Sequence, residues 1–179
     1  MNSINQHINT STIEKKIWEI LETIKDPEIP VLSVIDLGII RKIEIYSEIE
    51  KPPLGGLGVY ITPTYSGCPA MDVISMNIKM ELFASGFKNV KITQVLSPAW
   101  TTDWMSEEGK RKLKEYGIAP PNHKQQVCND ELFAPNEAVQ CPHCNSYLTH
   151  RISEFGSTAC KALYQCDDCK EPFDYFKCH

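Results

Sequence analysis

Apolar residues recur every three to four positions early in the chain. Ile13, Ile17, Ile20, Leu21 and Ile24 share one helical face, which predicts an amphipathic helix. Ser11 and Glu14 have the spacing of a capping box at its start. Asp26-Pro27-Glu28 stops it, because the residue before a proline avoids helical geometry. The pattern then changes to alternation. Ile43 and Ile45 alternate with Glu44 and Tyr46, which predicts a strand over about 39–47. A Pro- and Gly-rich turn, Lys51 to Gly56, separates it from a second strand over about 57–63.

From about 69 to 86 the chain is apolar nearly all round: Met71, Val73, Ile74, Met76, Ile78, Met80, Leu82 and Phe83. Such a helix is expected to be buried on more than one side. Gly86 ends it. A third strand follows at about 89–96, then a loop holding Trp100 and Trp104, both expected to pack beneath it. A basic helix over about 106–116 closes the unit, with lysines near its C-terminus that suit the helix dipole. The order α-β-β-α-β-α predicts an α/β (α+β) domain over residues 11–117, with a small mixed sheet covered by helices. Residues 1–10 read as a loose polar tail. Residues 118–138, with three prolines and little periodicity, read as a linker. Residues 139–179 form a third segment, set apart by its cysteines.

Composition fits a globular chain: 179 residues, 42% hydrophobic and 23% charged. No run approaches the roughly 18 apolar residues of a membrane helix. The start carries no stretch resembling a signal peptide, so a cytoplasmic protein is expected. Net charge is −5 and both halves are acidic. Neither offers the positive field that nucleic acid requires, and neither nucleic acid nor membrane is an expected partner.

Eight cysteines change the picture. Cys141-Pro142-His143-Cys144 and Cys166-Asp167-Asp168-Cys169 are two C-x-x-C knuckles. Each two-residue turn brings two sulfurs to one ion, and two turns complete a tetrahedral thiolate site for zinc. The same four thiolates could ligate an iron–sulfur cluster, and two disulfides are the other alternative. A closed four-sulfur site has no open position, so it builds a fold rather than catalyses. His143 is expected to point outward. Cys160, between the knuckles, reads as a strand residue under the ribbon or a thiol facing a partner.

Cys68 is the other candidate for chemistry. Pro69 suits the first helical position. That would place Cys68 at the N-cap, where free amides and the helix dipole favour a thiolate. Asp72, one turn on, opposes this; a small residue filling a turn is the other reading. Asp26 and Glu28 sit on a fixed bend and could hold iron beside a thiolate, or only end a helix. Asp36 reads as a turn cap. The chain has no Gly-rich phosphate loop, nucleophile elbow or His/Asp pair at catalytic spacing.

The strings DPEIPVLSVIDLGIIRKIEI, ITPTYSGCPAM and VLSPAWTTDWMSEEGKRKLKEYGIAPP resemble the MIP/SufT-like domain of iron–sulfur assembly factors. Adding CPHCNS…SEFGSTACKALYQCDDCKEPFDYFK, the chain resembles the PaaD-like (PaaJ-like) accessory proteins of phenylacetyl-CoA epoxidase systems over about residues 13–177. The resemblance implies a maturation factor of phenylacetate catabolism rather than an enzyme. Its implied clients are a reductase carrying a [2Fe–2S] cluster or a di-iron oxygenase. Residue by residue it implies an iron or cluster transfer site at Cys68, Asp26 and Glu28. It implies one structural zinc on Cys141, Cys144, Cys166 and Cys169, and the FGSTAC cysteine at Cys160. Asn145 stands where glycine is usual, and tolerates a left-handed backbone. Cys128, Cys178 and His179 match nothing in the pattern. A homodimer could pool two Cys68 thiolates. Two other readings remain: a zinc-ribbon adaptor without metal transfer, and a thiol transferase with Cys68 as nucleophile. The second lacks a histidine nearby in sequence to activate it.

Overall fold

The structure, a computed structural model, describes residues 10–46, 56–121 and 139–177. The expected turn at 51–55, most of the expected linker, Cys128, Cys178 and His179 lie outside them. The first unit runs α1 (Thr10–Thr23), β1 (Ile40–Ile45), β2 (Leu57–Ile61), α2 (Ala70–Ala84), β3 (Val90–Gln94), a short 3-10 turn (Thr102–Trp104) and α3 (Glu107–Glu115). β1 pairs antiparallel with β2, and β2 pairs parallel with β3. A parallel neighbour needs a crossover, and α2 supplies it. The second sheet has the order β4-β7-β6-β5, from β4 (Ile118–Ala119), β5 (Thr149–Ser153), β6 (Lys161–Cys166) and β7 (Pro172–Phe176). β4 falls in the span expected as linker and pairs parallel with β7. The fold is therefore the expected mixed α+β domain followed by a cysteine-bearing ribbon.

One core holds most of the molecule together. Ile17 and Leu21 of α1, Leu57 and Ile61 of β2, and Ile74, Ile78 and Leu82 of α2 are fully enclosed. Ile118, Cys160 and Phe176 from the C-terminal part belong to the same cluster. The indole of Trp100 meets the Phe176 ring edge-on, centroids 6.1 Å apart, so the ribbon is seated on the first unit.

The expectation for α2 needs correction. Its inner face is buried, but Val73, Met76, Met80 and Phe83 are exposed along the opposite face. The sheet and α1 cover one side only, and no described element covers the other. Trp100 is buried as expected. Trp104 is half-buried, with the Arg41 guanidinium 3.3 Å over its ring.

Asp36 does more than cap a turn. Its carboxylate accepts from the Ser33 N–H at 3.0 Å, Ser106 Oγ at 3.0 Å and Lys112 Nζ at 2.6 Å, tying the loop after α1 to α3. Gly38, at φ 65°, completes the turn. A Cβ there would run into the carbonyl oxygen of Trp104. Burial pushes the Asp36 pKa up, but the bonds from Lys112, Ser33 and Ser106 outweigh it and hold it low. A depressed folded pKa contributes stability that is present above the unfolded value, near pH 4, and is lost as pH falls through the folded one. Asp36→Asn should therefore cost about 2 kcal/mol at neutral pH. It should also flatten the acid limb of a plot of melting temperature against pH.

Candidate metal centres

The four knuckle cysteines converge as the spacing predicts. Among the described residues they are the only group in which three or more such donor atoms lie within 4.8 Å of one another. Cys141 Sγ is 3.8 Å from Cys169 Sγ, and Cys144 Sγ is 3.5 Å from Cys166 Sγ. Tetrahedral Zn–S bonds of about 2.3 Å put neighbouring sulfurs about 3.8 Å apart, so the cage fits zinc. All six described cysteines are free, which leaves no disulfide among them.

The two knuckles are built alike. Cys141 N–H donates to Ser146 O at 2.8 Å and Cys166 N–H to Glu171 O at 3.1 Å. Each turn ends on a left-handed residue, Asn145 at φ 63° and Lys170 at φ 64°. The Gln140 amide donates to Asn145 O at 3.1 Å, and the Gln165 amide to Lys170 O at 3.2 Å. Sequence reasoning missed these glutamines. The repeated Gln-Cys-x-x-Cys was the signal that could have shown them. The Cys169 backbone N–H aimed at Cys166 draws that thiol down to about 7, so one thiolate is ready at neutral pH. His143 is exposed, as expected.

The second constellation gathers residues that are distant in sequence. Asp26 Oδ1 accepts the N–H groups of Glu28 at 2.7 Å and Ile29 at 2.8 Å. This turn holds the bend after α1 and presents the half-buried Glu28 side chain. Burial pushes Asp26 up, opposed by those two N–H groups and by the positive charge of Lys161. Cys68 follows the turn at Gly67, φ 92°, and its carbonyl accepts from Met71 N–H at 3.3 Å.

Its expected N-cap position needs correction. Pro69 itself caps α2, which leaves Cys68 one residue outside. Its thiol is not activated. Burial pushes its pKa up; the Ala70 N–H pulls down, Glu28 pushes up, the Tyr65 hydroxyl pulls down and Asp26 pushes up. Without a cation beside it, this thiol is protonated at neutral pH.

Cys160 is turned inward at 5% exposure, just before β6. Its Sγ lies 3.8 Å from Glu28 Oε2 and 3.0 Å from Thr158 Oγ1. Burial pushes it up to about 11, the Thr158 hydroxyl opposing and Glu28 and Asp26 adding to the rise. Tyr65, which sequence reasoning also missed, belongs to the group. Burial, then Cys68, Glu28 and Cys160, push its phenol up to about 12. Its place in Tyr-Ser-Gly-Cys-Pro was the available signal.

The family comparisons divide the chain similarly. Residues 14–93 match the model described as an iron–sulfur cluster assembly protein, and residues 125–177 match the PaaD zinc beta ribbon domain. A relative in Escherichia coli (strain K12) is 49% identical over 163 residues, covering 91% of this chain and 92% of that protein. It is provisionally named as one of the subunits of 1,2-phenylacetyl-CoA epoxidase. A protein of Porphyromonas gingivalis (strain ATCC BAA-308 / W83) is named Fe-S protein maturation auxiliary factor. It is 38% identical over 101 residues, 56% of this chain and 90% of its own. The crystal structure of a domain of unknown function, DUF59, from Bacillus anthracis has the fold of the first unit. Its TM-score is 0.51 at 23% identity, over 57% of this chain and 92% of its own. No helix among the described residues is long and apolar enough to cross a membrane.

Proposed function

This chain belongs to the PaaD family, and on that premise we propose that it is a non-catalytic maturation factor for a ring 1,2-phenylacetyl-CoA epoxidase, assisting the insertion of iron or an iron–sulfur cluster into a client protein. The relatives' names support a place in iron–sulfur assembly and phenylacetate breakdown. The observation that carries the transfer role is the meeting of Cys68 with Asp26 and Glu28. They are separated by about forty residues, yet both carboxylates act on one half-buried thiol.

A thiol beside carboxylates, without a closed ligand set, suits cargo that must be released. Iron, or a cluster, is the cargo here and not a resident cofactor. The thiolate would hold it while Glu28 and Asp26 balance its charge. Hand-over then needs only exchange of one thiolate for a client's ligand. The ribbon contributes a different chemistry. Its four-thiolate cage would keep one zinc, which fastens the fold and takes no part in transfer. The client would be the reductase with its [2Fe–2S] cluster or the di-iron oxygenase. The chain would work in the cytoplasm, where such thiols stay reduced.

The test is maturation of the epoxidase with Cys68→Ser as the sole copy. Metal content of the client and epoxidase turnover should fall to the level seen without this protein. The variant itself should keep its melting temperature and its zinc. A fully loaded epoxidase would overturn the transfer role and favour an adaptor that only scaffolds the assembly.

A further inference from the structure

We propose that Cys160 supplies the second thiolate of the Cys68 site, so that Cys68, Cys160 and Glu28 form one intrachain S2O site for a first-row divalent cation, with ferrous iron as its cargo. The proposal rests on the transfer reading above and adds a ligand from the ribbon to it.

The geometry is specific. Tetrahedral ligation at about 2.3 Å to sulfur and about 2.1 Å to oxygen separates the two donors by about 3.6 Å. Cys160 Sγ and Glu28 Oε2 are 3.8 Å apart. Both thiols act on the same phenol, Tyr65, and both sense Glu28 and Asp26. Cys68 packs against the core cluster that includes Cys160.

Cys160 is held in place by the ribbon. Its carbonyl accepts from Lys177 N–H at 3.0 Å, and Lys161 N–H closes the preceding turn on Thr158 O at 3.1 Å. The neighbouring positive charge is turned aside, since Lys161 Nζ binds Asp174 Oδ2 at 3.2 Å. Cys160 is enclosed, while Cys68 and Glu28 are only half-buried, so an ion can enter from their side. Three protein donors leave a fourth position for the incoming ligand of a client. A homodimer is then not needed to provide two thiolates.

The test uses the full chain, loaded with zinc and kept free of oxygen, titrated with Co2+ and in parallel with Fe2+. Wild type should take up one further metal, with the visible bands of thiolate-bound cobalt and no loss of zinc. X-ray absorption at the added cobalt should show about two sulfur neighbours near 2.3 Å, a readout that needs no substitution. Cys160→Ser and Cys68→Ser should each abolish the thiolate bands while retaining zinc. Glu28→Gln should weaken binding about tenfold or more. If cobalt in wild type has one sulfur neighbour, or Cys160→Ser binds as wild type while Cys68→Ser does not, the composite site is wrong and the transfer role of Cys68 survives. If Cys68→Ser also binds as wild type, both readings fall.

Discussion

Replacing Cys166 by serine should remove zinc from the chain and unfold the ribbon. The ribbon's own cluster is small: Ala119, Val139, Ala162, Tyr164, Phe173 and Tyr175 around two of the cysteines. A segment of that size does not bury enough surface to fold on its own. Zinc on four thiolates contributes on the order of 10–16 kcal/mol to such folds, so the metal decides whether β5, β6 and β7 form. Cys166 is a sensitive position because its sulfur is fully enclosed and already drawn toward the thiolate by the Cys169 N–H. Serine is a far poorer zinc ligand and would leave three thiolates with no closed cage.

The damage should also reach the first unit, because Phe176 and Cys160 sit in its core. Zinc content should fall from one per chain to near none. Near-ultraviolet circular dichroism from Tyr164, Tyr175 and Trp100 should collapse, while the α1 and α2 signal in the far ultraviolet persists. Chelation of the wild type should give the same spectrum. A zinc-free variant that keeps the near-ultraviolet signal and a cooperative melt would show that packing alone holds the ribbon.

Local patterns in the sequence carried the elements well and the site only in part. Alternation at Ile43 and Ile45 located β1, and the run from Met71 to Phe83 located α2. These are short-range signals, set by the two periods of strand and helix. The knuckles were equally local. The outer face of α2 was not legible, because an all-round apolar helix does not reveal which of its sides lacks a neighbour. The position of Cys68 failed for a finer reason. Proline at the N-cap and proline at the first helical residue look alike in sequence, and one residue separates a capping thiol from a buried one. Cys160 was the largest gap. It meets Glu28 across 132 positions, and nothing near either residue announces that contact. The ribbon's seat on the first unit was hidden in the same way, since Trp100 and Phe176 carry no local mark of their pairing.

That seat yields a second large effect. Trp100→Ala should destabilise the protein by about 3–5 kcal/mol, the range for a buried aromatic truncated to alanine. Trp100 is 2% exposed, and three losses would coincide there. The Phe176 ring loses its edge-on partner. The Leu37 carbonyl loses the indole N–H that reaches it at 2.9 Å, leaving a buried acceptor unpaired. A cavity also opens between the two units. For a chain of this length the melting temperature should drop by roughly 10 °C.

Trp100→Phe separates the terms, because it keeps most of the packing and removes only the N–H bond. It should cost about 1 kcal/mol. The position also bears on the second thiol, since Trp100 and Cys160 share one core. In zinc-loaded Trp100→Ala, Cys160 should react with iodoacetamide faster than in wild type, read by peptide mass mapping, while the knuckle cysteines stay protected by zinc. Equal destabilisation by alanine and phenylalanine would instead assign the loss to the Leu37 bond. Unchanged Cys160 reactivity would show that the ribbon keeps its seat without the indole, and that the strand pairing of β4 with β7 is enough to hold it.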